Sequence, residues 1–161
     1  MNKNILIALV IILIVVAAGA IYFSLPKKNN NMTQTTNSSD QSATNFDIQG
    51  MKVEILKQGT GEGAKAGDNI SVNYTGTLTD GTKFDSSVDP SFGHVAPFPY
   101  TLGNNQVIQG WELGLLGMKV GEERKLTIPP ELAYGAQSPS SLIPANSTLV
   151  FDITMVSING K

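Results

Sequence analysis

At 161 residues the chain has room for one ordinary domain and a tail. Its net charge of −2 argues against a broad basic face for nucleic acid. It has no cysteine and a single histidine, His94, which excludes disulfides, thiolate nucleophiles and multi-histidine metal sites.

Residues Ile5 to Phe23 form an uninterrupted apolar run, ILIALVIILIVVAAGAIYF. A bilayer span takes about 20 such residues, so this run is long enough to cross with modest tilt. A soluble helix that is apolar all round needs a large protein to hide in. Ala18-Gly19-Ala20 resembles a small-residue cleavage site, but the run exceeds the usual signal-peptide core of about 7–15 residues. Residues 1–25 are therefore expected to be a transmembrane anchor, with a cleaved signal segment as the alternative. Lys3 and the terminal amine precede the run and Lys27 and Lys28 follow it, so the positive-inside count is close to a tie. The short leading flank has little to translocate and the next stretch resembles an exported spacer, so the folded domain is expected outside the cytoplasm.

Asn29 to Asn45, NNNMTQTTNSSDQSATN, is polar, nearly uncharged and short of large apolar residues. It cannot bury enough surface to offset the entropy of ordering. That stretch has a random-coil reach on the order of 20–25 Å, and residues 26–46 read as a flexible linker.

The domain spans residues 47–161. Val53 to Lys57 reads as a strand ended by Gln58-Gly59-Thr60-Gly61. A second strand follows the Gly67-Asp68 turn, where Ile70, Val72 and Tyr74 alternate with Ser71, Asn73 and Thr75. Asp80-Gly81 centres a hairpin-type turn leading to Lys83–Ser87. After a proline- and glycine-rich loop, Tyr100–Leu102 leads into a short helical pattern. There Val107, Ile108, Trp111 and Leu115 share one face, and Asn104 and Asn105 are candidate N-caps. Gly117 and Gly121 bracket the turn into a strand over Glu122–Ile128, which Pro129-Pro130 stops. A second long loop, Gly135 to Ser147, precedes the clearest strand, Thr148–Val156. Several antiparallel-type strands, one short helix and two long loops make an α+β domain.

The segments VNYTGTL, GTKFDSS, VIQGW, GEERKLTIPPELAYGA and TLVFDI stand in the order and spacing of a known family. Over residues 47–158 the chain resembles the FKBP-type peptidyl-prolyl cis-trans isomerases, the macrolide-binding immunophilins. The resemblance implies an antiparallel five- to six-stranded sheet wrapped around one short helix, with an apolar pocket between them. It also implies a pocket floored by Trp111 and walled by Tyr74, Phe84, Val107, Ile108 and Phe151. Tyr134 and Ile143 would close it with Leu142 beside them, and Phe98 and Tyr100 would supply an aromatic pair from the first long loop. Asp85 matches the family's pocket carboxylate, which pairs with the hydroxyl of the residue at Tyr74. The Ile108 N–H and the Tyr134 hydroxyl match donors that hold ligand carbonyls.

The implied activity is X–Pro isomerisation, with proline-containing polypeptides as substrates, macrolides as inhibitors and no metal or cofactor. Isomerisation breaks no covalent bond, which suits a chain without a phosphate loop or metal cluster. A membrane-tethered, non-catalytic module that holds proline-bearing segments is the alternative. Three departures from the family pattern stand out. The loop over Val88–Thr101 is longer than in the smallest members, an arginine that pairs with the pocket aspartate has no clear counterpart, and Pro139 replaces a common rim histidine. His94 is loop-borne and alone, and reads as solvated rather than catalytic.

Overall fold

The computed structural model describes residues 44–161. The anchor expected at 1–25, and all but the last three residues of the 26–46 linker, lie outside the described residues. Among the described residues no helix is long and apolar enough to cross a membrane.

Among the described residues seven strands occur: β1 (Thr44–Ile48), β2 (Met51–Lys57), β3 (Asn69–Leu78), β4 (Lys83–Ser86), β5 (Phe98–Thr101), β6 (Glu123–Ile128) and β7 (Leu149–Ile158). One α-helix, α1 (Gln109–Gly114), lies between β5 and β6 in the chain. The strands form one antiparallel sheet in the order β1-β2-β6-β7-β3-β4. Strand β3 is long enough to share its outer edge, with β4 paired to Thr75–Thr77 and β5 paired to Asn69–Val72.

The sheet therefore has seven strands rather than five to six. Strand β1 begins at Thr44, inside the segment read as linker. It exists because Gln49 (φ 51°) and Gly50 (φ 85°) supply the paired positive φ of a tight hairpin, which folds Asn45–Ile48 back along β2. Strand β5 reads as a mere lead-in because Pro97 precedes it and Pro99 is its second residue. Proline is compatible with an edge strand, and β5 pairs only with β3.

Side-chain alternation puts the core on one face of the sheet. Ile70 and Val72 of β3, Leu126 and Ile128 of β6, and Leu149, Phe151, Ile153 and Met155 of β7 are all buried there. Trp111 and Leu115 come down onto this face from the helix.

The helix departs from expectation at its start. Neither Asn104 nor Asn105 caps it: Asn105 turns the chain at φ 53°, and extended Ile108 (φ −60°, ψ 149°) is the cap, without a side-chain bond. Val107 and Ile108 thus precede the helix and are half-buried beside it. Six residues form no stable helix alone, so packing must hold this one.

Two glycines allow that packing. A Cβ on Gly110 would lie 2.5 Å from Ile128 Cγ2, and one on Gly114 would lie 2.6 Å from Leu126 Cδ1. Both ends of the helix are then tied by buried charged side chains. At the start, Glu112 Oε2 accepts the Gly103 N–H at 2.6 Å. At the end, Arg124 Nη1 donates to the carbonyls of Gly114 at 2.7 Å and Leu116 at 3.1 Å. A cation belongs there, where the helix carbonyls are unpaired. Arg124 Nε also donates to Glu122 Oε1 at 2.6 Å, and Glu122 Oε2 accepts the Lys119 N–H at 3.0 Å. Period-two alternation places Arg124 on the buried side of β6 with Leu126 and Ile128, an uncommon position for a charged side chain.

Removing one member of such a buried pair strands the other charge. Arg124→Met is expected to cost about 3–5 kcal/mol in urea unfolding, and adding Glu122→Gln is expected to recover part of that loss. A single-variant cost below about 1 kcal/mol would show that the pair does not hold the helix.

Candidate active site

Trp111 is the centre of the site. It stands on the face of α1 that looks toward the sheet, and it is only 5% exposed. Phe151 on β7 meets it at 5.2 Å between ring centroids, 83° between planes, and Tyr74 on β3 meets it at 5.2 Å and 77°. Phe84 on β4 packs on Phe151 at 5.5 Å and 83°, and Phe98 on β5 packs on Trp111 at 6.2 Å and 78°. Edge-to-face contacts of this kind suit the ring quadrupoles and fix each ring's tilt.

Above Trp111 the rings leave an open pocket of about 450 Å³. Tyr74, Phe84, Asp85, Phe98, Val107, Ile108, Trp111, Tyr134, Ile143 and Phe151 line it. Tyr100 and Leu142 do not. Phe98 and Tyr100 share one face of β5, but Phe98 lies opposite Val72 at the pocket end while Tyr100 lies opposite Ile70, deeper in the core. Tyr100 is 7% exposed and backs Trp111 at 6.2 Å, so it supports the floor from behind. Burial pushes its phenol above the ordinary range, and the Glu112 carboxylate adds to the effect. Leu142 faces solvent because the loop turns Ile143 inward. Ser138 Oγ donates to the Ile143 carbonyl at 2.7 Å, and the Asn146 N–H closes onto the Gly135 carbonyl at 2.7 Å.

Asp85 is the one carboxyl side chain lining the pocket. Its Oδ2 accepts the Tyr74 hydroxyl at 2.6 Å and its Oδ1 accepts the Ser86 N–H at 2.8 Å. Burial and the carboxylate both push the Tyr74 phenol well above its usual range, so it stays a donor. Across the pocket Tyr134 is also pushed up, by burial first and then by the charge of Asp85. His94 is loop-borne and exposed, as the sequence suggests, but it is not alone: its Nε2 lies 3.5 Å from Asp85 Oδ1.

Sequence reasoning did not find Gln106 and Ser140, which also line the pocket beside Pro139. Gln106 Oε1 accepts the Thr101 N–H at 3.2 Å, which pins it to the end of β5. Its position just ahead of Val107-Ile108 was the available signal. Gly76 was missed as well. A Cβ there would lie 2.5 Å from Phe84 Cε2 and 2.9 Å from Phe151 Cε1, so its bare backbone is what lets both rings reach the wall.

Comparison with known proteins bears on this geometry. Residues 60–156 match the family model described as FKBP-type peptidyl-prolyl cis-trans isomerase. FK506-binding protein 1A of Neurospora crassa is 48% identical over 114 residues, which is 70% of this chain and 92% of that protein. A peptidyl-prolyl cis-trans isomerase of Schizosaccharomyces pombe is 46% identical over 113 residues, 70% of this chain and 97% of that protein. The crystal structure of FkpA from Escherichia coli superposes with a TM-score of 0.62 at 39% identity, covering 74% of this chain and 52% of that one.

The Gly76 contacts generate a direct test of the wall. Gly76→Ala is expected to displace Phe84 and Phe151, to alter the near-ultraviolet circular dichroism, and to cost about 1–3 kcal/mol of stability. An unchanged aromatic signal at unchanged stability would mean that the rings have room to spare.

Proposed function

The chain belongs to the FKBP-type peptidyl-prolyl cis-trans isomerases, and on that premise we propose that the pocket over Trp111 twists X–Pro amides in exported or surface proteins from a membrane-anchored position. The observation that carries the catalytic part is the aromatic pocket itself, with one hydrogen-bonded carboxylate at its edge.

The reaction rotates an amide whose barrier is about 18–20 kcal/mol. Planarity is maintained by charge separation between oxygen and nitrogen, which water favours. In an aromatic, water-poor pocket that separation loses support, and the twisted amide becomes relatively cheaper. Trp111, Phe151 and Phe84 supply this surface for the proline ring. The Ile108 N–H and the Tyr134 hydroxyl act as donors to peptide carbonyls, holding one side of the bond while the other turns. Val107, Phe98 and Ile143 bound the flanking residues. Each ~1.4 kcal/mol of preference for the twisted over the planar amide gives tenfold in rate.

Asp85 has no proton to transfer in this scheme. It orders Tyr74 and the start of the β4–β5 loop through the Tyr74 hydroxyl and the Ser86 N–H. With its side chain 40% exposed, it is less enclosed than the resemblance suggests.

The apolar run Ile5–Phe23 and the polar stretch behind it support a tethered domain, with proline-containing segments of exported proteins as substrates and immunophilin macrolides as inhibitors. The anchor and the chemistry are tested separately. In alkaline extraction of membranes, the full-length chain is expected to stay in the pellet, and release into the supernatant would remove the anchor.

In detergent micelles the full-length chain is expected to accelerate isomerisation of an Ala-Leu-Pro-Phe peptide and to be inhibited by a macrolide. Asp85→Leu is expected to lower kcat/KM several-fold without abolishing it. Complete loss in a folded Asp85→Leu chain would point to acid–base chemistry, and no change would place Asp85 outside the working site.

A further inference from the structure

His94 is the only histidine in the chain, and it sits on the long loop between β4 and β5. Its Nε2 lies 3.5 Å from Asp85 Oδ1 and its Nδ1 lies 3.1 Å from the Phe92 carbonyl oxygen. Both neighbours are acceptors. A neutral imidazole has one N–H, so it satisfies one oxygen and turns a lone pair on the other. The imidazolium donates to both, and the bond to the carboxylate is then charge-assisted. Only the protonated ring can offer a donor to both oxygens.

We propose that His94 is a specificity-determining residue of the isomerase: protonated, it covers the charge of Asp85, and on losing its proton it exposes that charge to the residue beside the substrate proline. The proposal rests on the isomerase reading of the pocket and deepens it. Asp85 keeps the Tyr74 hydroxyl and the Ser86 N–H in either state, so the carboxylate stays in place and only the net charge at the rim changes.

The surrounding groups leave this switch to His94. Lys83 on β4 and Asp89 at the start of the loop pair with each other at 3.0 Å and cancel. Asp89 is further occupied by the Ser91 N–H at 3.1 Å and the Ser91 hydroxyl at 2.7 Å. Tyr74 on β3 and Tyr134 across the pocket remain neutral phenols, because burial and the carboxylate push both upward. The loop places the histidine by local means: Asp89 caps the turn at Pro90–Phe92, and Gly93 at φ 79° brings the next residue back toward β4.

The His94 and Asp85 side chains are 48% and 40% exposed, so solvent reaches the contact and limits its size. An exposed ion pair of this kind is worth about two- to fivefold in an equilibrium or rate ratio. Histidine is the side chain whose charge changes in the neutral range, and lysine and glutamate beside a substrate proline keep their charges there.

The test is the ratio of kcat/KM for Ala-Lys-Pro-Phe over Ala-Glu-Pro-Phe, measured on the full-length chain in detergent micelles from about pH 5.5 to 8.5. In the wild type the ratio is expected to rise about two- to fivefold with pH. His94→Gln is expected to hold the high ratio throughout, and His94→Arg, a permanent cation, to hold the low one. A wild-type ratio independent of pH, or a pH dependence that survives in His94→Gln, overturns the proposal while leaving the isomerase reading intact. A folded chain that isomerises neither peptide at any pH overturns both.

Discussion

The architecture depends on how closely one short helix lies on one strand. Gly110 and Gly114 lie a helical turn apart, and beneath them Ile128 and Leu126 occupy the space that any Cβ would need. Without that approach the helix would ride higher and Trp111 would not meet Phe151 and Tyr74 at 5.2 Å. A helix of six residues has little stability of its own. It is held by the sheet, by Glu112 reaching back to Gly103, and by Arg124 reaching up to Gly114. The fold thus supports its helix at both ends with buried charge. Such charge is costly unless each polar atom is used, and the Arg124–Glu122 pair is spread over three backbone groups.

The pocket follows from this arrangement. The sheet alternation sends Tyr74, Phe151 and the buried aliphatic residues to the same side. The missing Cβ of Gly76 then opens space for Phe84, and the β5 edge brings Phe98 over the floor. Five rings converge without filling the space between them, because two long loops rather than a second layer close that end. An isomerase benefits from such a surface: it must bind the proline ring and weaken amide resonance, and it need not move protons. The one carboxylate is accordingly a structural and electrostatic group, fixed by a phenol that burial keeps protonated.

Much of this was legible in the sequence. Period-two alternation in β3 and β7 announces strands with one buried face, and Asp80-Gly81 announces the hairpin between β3 and β4. The resemblance then located most of the pocket lining. What stayed hidden depends on tertiary pairing. Strand β1 looks like linker until the Gln49-Gly50 turn folds it onto β2. Asn104 and Asn105 look like caps, but one of them is used to turn the chain. Arg124 looks solvated until the helix end is placed above it. Tyr100 and Phe98 cannot be ranked from spacing, because strand neighbours on one face differ only in how far along the sheet they lie. His94 looks isolated because its partner, Asp85, is brought near by the path of a loop and not by any periodic pattern.

The claim that the helix–sheet approach exists to present Trp111 as the floor of a working pocket is tested most directly by kcat/KM of folded, full-length Trp111→Leu on an Ala-Leu-Pro-Phe peptide, with folding checked by circular dichroism. The account predicts a fall of about tenfold or more, equivalent to ~1.4 kcal/mol or more of lost transition-state stabilisation, in a chain that still folds. An unchanged kcat/KM, accompanied by the loss of about 3–5 kcal/mol of stability expected for truncating a large core residue, would contradict it and make Trp111 an ordinary member of the core.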